Sequence, residues 1–547
     1  KGVILGLPAT PERSDGRREL DMPQPQTAPK GAPQEGQKPP DIKEIMADYD
    51  KAVKFFANTP AEAWEGLSVK TALSVFAETA KTIPAYQEFL QLQKFNPEDI
   101  KSMEDFSKIP VMDKYNYIQT YGFNDVNSVK AGENLYSISL SSGTIDEPTI
   151  WPRYYQYEEF LPLVFDLLLR LYWQVDKKST LLVNAYAMGP WTAGFSVHSA
   201  IRPLTQKYKL TLATPGADID SIVYTIVKLS KFYDQTLIFS YSTFARTILD
   251  RLEEAGVDIK KLNLKMFLAG EAHTVEWRQY INKLATGDPE NLTCIIDGYG
   301  ITDTGLSGMG TALTNLIRDL AQKNEKLRED LFGKSDCVPS LFQYNTGTYY
   351  IEEINGEVVI TTKSTTPLVR YNIHDRGGVI GFRKMTEILG KHGYDYKKLL
   401  RKKKLNPDEI VWQQPFVYCF GRRDDTVIIG GANVYPEQIA PALFNEKVKD
   451  IHSFKLATDF DKKQHQLFYI LLELKAGIFY TKKIMAKMKK KYHDVIMDRL
   501  FKVSSDYAVS YKADPRYADF YIEIYEAGIG PFANDLKRTK PKLVLKR

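Results

Sequence analysis

Between residues 180 and 297 the chain alternates two hydrophobic patterns. Runs at 180–185, 210–214, 236–240, 264–269 and 293–297 are apolar almost throughout and too short for helices, so they read as strands buried on both faces. Stretches at 158–173, 219–233, 243–255 and 275–284 carry apolar residues at helical spacing. Strand and helix in alternation predict a parallel α/β sheet covered on both sides, with ligands taken beyond the C-terminal strand ends. Upstream, helical spacing runs over 42–56 and 71–83, and 104–109 followed by Pro110-Val-Met-Asp-Lys reads as a docking segment. A short apolar strand at 135–140 then leads into Ser141-Ser-Gly-Thr. Downstream, 341–362 changes to strands and turns and predicts an antiparallel β region. From about residue 421 a smaller α+β unit follows.

Composition changes this picture at the ends and in one insertion. Residues 1–40 hold eight prolines and few apolar residues after Leu20, which predicts a disordered tail. Residues 41–421 then form a large domain and 422–547 a small one. Six of the eight residues at 397–404 are Lys or Arg, as are many at 482–491, and both read as solvated helical faces. A net charge of +5 over 547 residues gives no global argument for nucleic acid. Cys294, Cys337 and Cys419 are three, far apart and without zinc-ligand spacing, which points to a reducing compartment. No apolar run is long enough to span a bilayer and no signal-peptide core is visible, so a cytoplasmic protein is expected.

The candidate chemistry lies in the loops at strand ends. Small hydroxyl residues around a glycine, as in Ser141, Ser142, Gly143 and Thr144, offer backbone and side-chain donors to an anion. Further on come Leu-Ala-Gly-Glu-Ala-His at 268–273, Asp-Gly-Tyr-Gly-Ile-Thr-Asp at 297–303, Arg-Tyr-Asn-Ile-His-Asp at 370–375, Gly-Arg-Arg-Asp-Asp with Asn-Val-Tyr-Pro at 421–436, and Lys-Arg-Thr-Lys-Pro-Lys at 537–542. In this order the set resembles the adenylate-forming superfamily of acyl-CoA synthetases, in its phenylacetate–CoA ligase-like branch, over roughly residues 70–547.

The resemblance implies that fold: a large N-terminal domain of parallel sheets flanked by helices with a β-rich subdomain, and a small, mobile α+β C-terminal domain. It implies an AMP-forming acid–CoA ligase using ATP, Mg²⁺ and coenzyme A. Ser141, Ser142, Gly143 and Thr144 would hold the β- and γ-phosphates. Gly270, Glu271, Asp297, Gly298 and Tyr299, followed by Gly300, would frame the adenine. Thr302 would meet the α-phosphate, Asp303 would bind Mg²⁺, Asp375 would accept from the ribose hydroxyls and Arg422 would assist. Asp424 matches the hinge position, and Lys540, with Lys537 as its rival, would supply the mobile catalytic cation. Tyr186, Gly189, Trp191, Gly194, Phe195 and His198 stand where an aromatic or apolar acid would lie. The 397–404 run suits an acidic acyl carrier protein as an alternative acceptor, and the branch implies a homodimer. The sequence departs from the family where Thr-Gly-Lys usually precedes Pro-Thr: here Ile145-Asp146-Glu147 stands instead.

Overall fold

The computed structural model describes residues 42–141, 149–153, 159–335, 337–422, 427–443, 450–533 and 544–546. Residues 1–41, where the proline-rich tail is expected, lie outside these. The helix expected over 42–56 is two helices, Ile42–Ala47 and Tyr49–Asn58. Asp48 takes an extended conformation between them and its carboxylate accepts from the Lys51 N–H, so a polar residue inside the expected helix serves as a cap.

The expected parallel strands all form: β3 (Thr180–Asn184), β4 (Leu210–Ala213), β5 (Gln235–Ser240), β6 (Lys265–Ala269) and β7 (Ile295–Ile301). They follow a hairpin of β1 (Ser137–Ser141) and β2 (Thr149–Arg153). Every residue of β3 and β5 is buried. Alternate side chains go to opposite faces. Leu181, Val183, Ile238, Met266 and Ile295 join the core under helices Ile219–Leu229, Ser242–Glu254 and Val275–Thr286. Leu182, Leu237, Phe239, Phe267 and Ile296 join the core under Leu161–Trp173 and Thr192–Ile201.

The antiparallel region is present, and it continues the parallel sheet rather than forming one of its own. Strands β8 (Gly305–Met309), β9 (Ser340–Gln343), β10 (Tyr349–Ile354), β11 (Glu357–Thr362), β12 (Leu368–Ile380) and β13 (Phe416–Arg422) complete eleven strands in the order β10-β11-β12-β13-β9-β8-β7-β6-β5-β3-β4. The change of direction falls at the β7–β8 turn, where a Cβ on Gly300 would sit 2.4 Å from the Gly305 carbonyl oxygen. The charged insertion packs as helices Phe382–Lys391 and Tyr396–Lys402, with Met385, Leu389 and Leu400 buried.

Beyond β13, a short ribbon of β14 (Val427–Ile429) and β15 (Ala432–Val434) precedes a four-stranded sheet, β18-β17-β16-β19, made from β16 (Ile451–Phe460), β17 (Gln466–Leu474), β18 (Phe520–Tyr525) and β19 (Val544–Lys546). The apolar tail after Lys540 thus becomes an edge strand parallel to β16. The lysine-rich stretch opens the helix Lys482–Val503, whose other face buries Tyr492, Ile496 and Leu500. No described helix is long and apolar enough to cross a membrane.

Polar contacts tie this unit to the large sheet's helices. Arg246 donates Nε to the Lys463 carbonyl at 2.9 Å and pairs through Nη2 with Asp250 at 2.5 Å. His465 sits between Asp250 and Asp461, with Nδ1 2.7 Å from Asp461. Its bond to Asp250 raises the imidazole pKa, burial opposes this, and Asp461 adds to the rise. A raised folded-state pKa means the contribution is complete below the ordinary value near 6.5 and disappears as pH climbs through the raised one. The stability gap between wild type and His465→Gln, from urea unfolding, is therefore expected to be widest in acid and to narrow above neutrality. A gap independent of pH would mean the ring carries no charge in the seam.

Candidate active site

The motif residues gather at the C-terminal ends of β3, β5, β6 and β7 and on the adjoining stretch of β12. Tyr299, at the end of β7, is stacked on Phe342 with centroids 5.1 Å apart and donates its hydroxyl to Asp375 at 2.8 Å. Tyr371, four residues before Asp375 on the same strand, donates to Asp303 at 2.6 Å. The carbonyl of Thr302 accepts from Nη2 of Arg153 at the end of β2. Two tyrosines and one arginine therefore join the β7–β8 turn to β12 and to the hairpin.

Ser141 closes the described part of the hairpin, paired across it with Thr149. Its hydroxyl oxygen accepts from Trp151 Nε1 at 3.0 Å and Lys114 Nζ at 3.1 Å. Leu140 N–H donates to the Pro190 carbonyl at 3.0 Å, which docks the hairpin on the loop after β3. Ser142, Gly143, Thr144, Asp424 and Lys540 lie outside the described residues, as do the rival Lys537 and the Arg422 side chain.

Asp297 and Glu271 both have their carboxylates committed within the protein. Asp297 accepts from His273 Nε2 at 2.9 Å and pairs with Arg318 at 3.5 Å, while Arg318 also donates to the His273 carbonyl at 2.6 Å. Burial alone would raise the Asp297 carboxyl, but the charges of His273, Arg318 and Arg278 outweigh it and hold it below the ordinary range. Its neighbour Gly298 sits against Phe267, whose ring a Cβ there would strike. Glu271 accepts from Ser242 Oγ at 3.2 Å, from Thr243 through N–H at 3.0 Å and Oγ1 at 2.6 Å, and from the Gly431 N–H at 2.6 Å. Burial raises its carboxyl, and these donors offset part of the rise. Gly431 has φ +79° and lies against Tyr241, so the β14–β15 turn needs glycine there twice over. Gly270, also with positive φ, lies against the same ring.

The residues expected at an acyl site are partly separated. Trp191 lines a small cavity with Ala187, Tyr241, Gly431 and Ser510, between the large sheet and the helix Ser505–Ala513. Tyr186 is buried behind Tyr241, edge-on at 5.1 Å, and donates to the Phe267 carbonyl at 3.2 Å. Gly194 lets its helix close on the Ala187 carbonyl, where a Cβ would lie at 2.1 Å. Phe195 turns toward Tyr136, His198 buries an Nδ1 with no hydrogen-bond partner among the described residues, and Gly189 holds the loop turn at φ +88°. Sequence reading missed Tyr241, Arg153, Trp151 and Lys114. Tyr241 alone had a signal, as the residue directly after a predicted strand.

No family model matches the chain. The phenylacetate–coenzyme A ligase of Aromatoleum evansii is 23% identical over 363 residues, covering 66% of this chain and 70% of that protein. The enzyme of the same name from Thermus thermophilus is 23% identical over 390 residues, covering 70% and 76%. The chain is a distant homologue of the phenylacetate–coenzyme A ligases. Among solved structures, a 2-hydroxyisobutyryl-CoA ligase in complex with 2-HIB-AMP and CoA, in its thioesterification state, matches with TM-score 0.59 and 14% identity over 90% of this chain and 91% of that one. The fold is that of the adenylate-forming enzymes.

In this adenylate-forming fold, the cavity beside Trp191 is shared by the two units, because Gly431 and Ser510 come from the smaller one. Among the described residues no three His, Cys, Asp or Glu cluster to hold a metal by themselves. Asp303 stands at the β7–β8 turn, where it accepts from Tyr371, and Mg²⁺ is commonly held by one or two carboxylates together with substrate phosphates, so this carboxylate fits a metal that arrives with a nucleotide. Some cations of the insertion pair with acids of the same chain: Arg401 with Asp408 at 3.2 Å, and Lys403 with Glu290 at 3.2 Å.

Proposed function

We propose that the protein activates a carboxylic acid with ATP and passes the acyl group to coenzyme A. The observation that carries this reading is the convergence of Asp375, Tyr299, Thr302, Asp303 and Ser141 at one group of strand ends, joined through Tyr371 and Arg153. In the first step a carboxylate oxygen attacks the α-phosphorus of ATP and the bond to pyrophosphate breaks. In the second, a thiolate sulfur attacks the acyl carbon and AMP leaves with the electron pair of the broken C–O bond.

Both partners of the first step are anions, so donors and cations must meet the charge as it develops. The Ser141 hydroxyl and the following Ser142, Gly143 and Thr144 hold the outer phosphates. Thr302 meets the α-phosphate, and Asp303 helps hold Mg²⁺, which neutralises phosphate charge when bound. Asp375 suits a diol because a carboxylate accepts two donors at once. Gly270, Glu271, Gly298 and Tyr299 border the adenine, with Asp297 fixing the strand end behind them. Arg422 assists at the ribose. Lys540 is the mobile cation of the first step, and Asp424 the hinge that withdraws it. The acid lies toward Trp191 and Tyr241, and the thiol arm approaches past Gly430 and Gly431.

With ATP and Mg²⁺, one or more acids from a panel of aryl and fatty acids is expected to give acid-dependent pyrophosphate release, and CoA to convert this to AMP and acyl-CoA. No release with any acid would remove the adenylation reading. Release that proceeds to thioester only with acyl carrier proteins would move the acceptor from CoA to a carrier. ATP binding in a calorimeter without turnover would make the chain a nucleotide-binding homologue.

A further inference from the structure

We infer that the lysine-rich start of the helix Lys482–Val503, with the turn before it, is a docking face for an anionic lipid bilayer, on which the protein rests without crossing it. The inference stands apart from the adenylation reading, because it draws on no residue of the candidate active site.

From Lys475 to Lys491 the chain carries seven lysines and no Asp or Glu. Six of the seven fall in the first ten residues of the helix, and none of those ten residues is buried; burial begins at Tyr492. Packing against the four-stranded sheet explains the later turns and little of these. The charges are also adverse where they stand. Lys482 and Lys483 occupy the first turn, with no acid beside them, at the helix end whose dipole is positive. Lys483, Lys487 and Lys491 follow one another at four-residue steps, and like charges at that spacing repel. Among the described residues none of the six has an ion-pair partner. The next acids along the helix lie beside other cations, Asp494 at 3.6 Å from His493 and Asp498 at 2.6 Å from Lys502. In the insertion, by contrast, Arg401 and Lys403 meet acids of the same chain. A surface of negative charge relieves the repulsion and the adverse dipole together.

The apolar side chains here decide which surface. Phe479 is 72% exposed and Ile484 43%, both set among the lysines. The turn that carries Phe479 is fixed from behind. Tyr480 and Tyr492 donate to the Asp450 carboxylate at 3.4 and 2.6 Å, and the Lys475 N–H donates to the Asp450 carbonyl at 2.9 Å. Tyr480 is thereby held inward while its neighbour Phe479 is left outside. Lysines around exposed apolar groups suit a headgroup layer, which takes the ammonium groups on its phosphates and the ring among the upper acyl chains. An acidic carrier protein fits less well, because it has to bring its thiol to the cavity beside Trp191. This unit lines that cavity with Val509, Ser510 and Ala513, which follow the far end of the helix. At 1.5 Å per residue the lysines begin about 30 Å of helix before that end.

The test is sedimentation of the full-length protein with phosphatidylcholine vesicles, with and without about one-third phosphatidylglycerol. Wild type is expected to sediment with the anionic vesicles and not with the neutral ones, and less as salt is raised. Lys483→Gln, Lys487→Gln, Lys490→Gln and Lys491→Gln together should lower the partition coefficient about 30-fold or more, and Phe479→Ser about fivefold. Arginine at the same four positions should keep it within about threefold of wild type. Lys397→Gln, Lys398→Gln, Lys402→Gln and Lys404→Gln together remove the same net charge from the insertion and should leave binding unaltered. Thermal melts confirm that each variant is folded. No wild-type binding to the anionic vesicles overturns the inference, and so does equal binding to the neutral ones. An equal loss in the insertion variant also overturns it, since the attraction would then be one of net charge. Lysine-dependent binding to a purified acyl carrier protein, with none to vesicles, overturns it as well and gives the face to a protein partner.

Discussion

Changing Asp375 to asparagine is expected to raise KM for ATP roughly 100-fold while leaving kcat within a few-fold of wild type. The carboxylate is buried, takes one hydroxyl from Tyr299 at 2.8 Å, and in the proposed complex accepts from the ribose. Hydrogen bonds to a charged group contribute about 1.5–3 kcal/mol each. The amide keeps the volume but loses the charge and one acceptor, so about 3 kcal/mol is at stake. The ribose does not change during the reaction, so the contact is made equally in the ground and transition states, and its loss belongs in KM. The decisive measurement compares ATP with 2′,3′-dideoxy-ATP. Wild type should prefer ATP strongly, and the variant should nearly lose the preference. A variant that still discriminates between them would place the ribose away from Asp375.

That prediction was within reach of the sequence because Asp375 stands in a motif at a fixed place in an ordered set. The strands were legible for a more elementary reason. In β3 and β5 every position is buried, so the apolar run is unbroken and its short length excludes a helix. What the sequence concealed depends on distance along the chain. Nothing local distinguishes a β region that starts a new sheet from one that hairpins back at Gly305 onto β7. Asp48 falls within an unbroken helical pattern of apolar residues, and its extended backbone makes it a cap. The partners of the motif residues are farther off still. Lys114 reaches Ser141 across 27 positions, Tyr371 reaches Asp303 across 68, and Glu271 meets Gly431 across 160. A single lysine in a docking segment has no period and no motif, so only the folded chain identifies its neighbour.

The same separation hides the support beneath the proposed nucleotide site, where the larger stability effect is expected. Replacing Arg318 by methionine should cost about 3–5 kcal/mol of unfolding free energy, the usual penalty for removing one partner of a buried ion pair. Arg318 is 1% exposed, pairs with Asp297 and donates to the carbonyl of His273. Methionine fills much of the space but leaves Asp297 with His273 and the more distant charge of Arg278, and the His273 carbonyl short of a donor. Asp297 also carries the pH signature. Its carboxyl is held below the ordinary value of 3.8, so its stabilisation is complete above that value and is lost as pH falls through the lowered pKa. Without Arg318 the carboxyl rises, and the acid limb of the stability profile should move to higher pH. Urea unfolding at neutral pH and at about pH 4 reads both effects. Because Asp297 begins the segment that ends in Tyr299, Thr302 and Asp303, any displacement of the strand end would reach all three, and ATP turnover should fall even in the fraction that stays folded. If Arg318→Met unfolds like wild type, the buried pair is dispensable, and the position of Tyr299 against Asp375 is held by other contacts, the Phe342 stack among them.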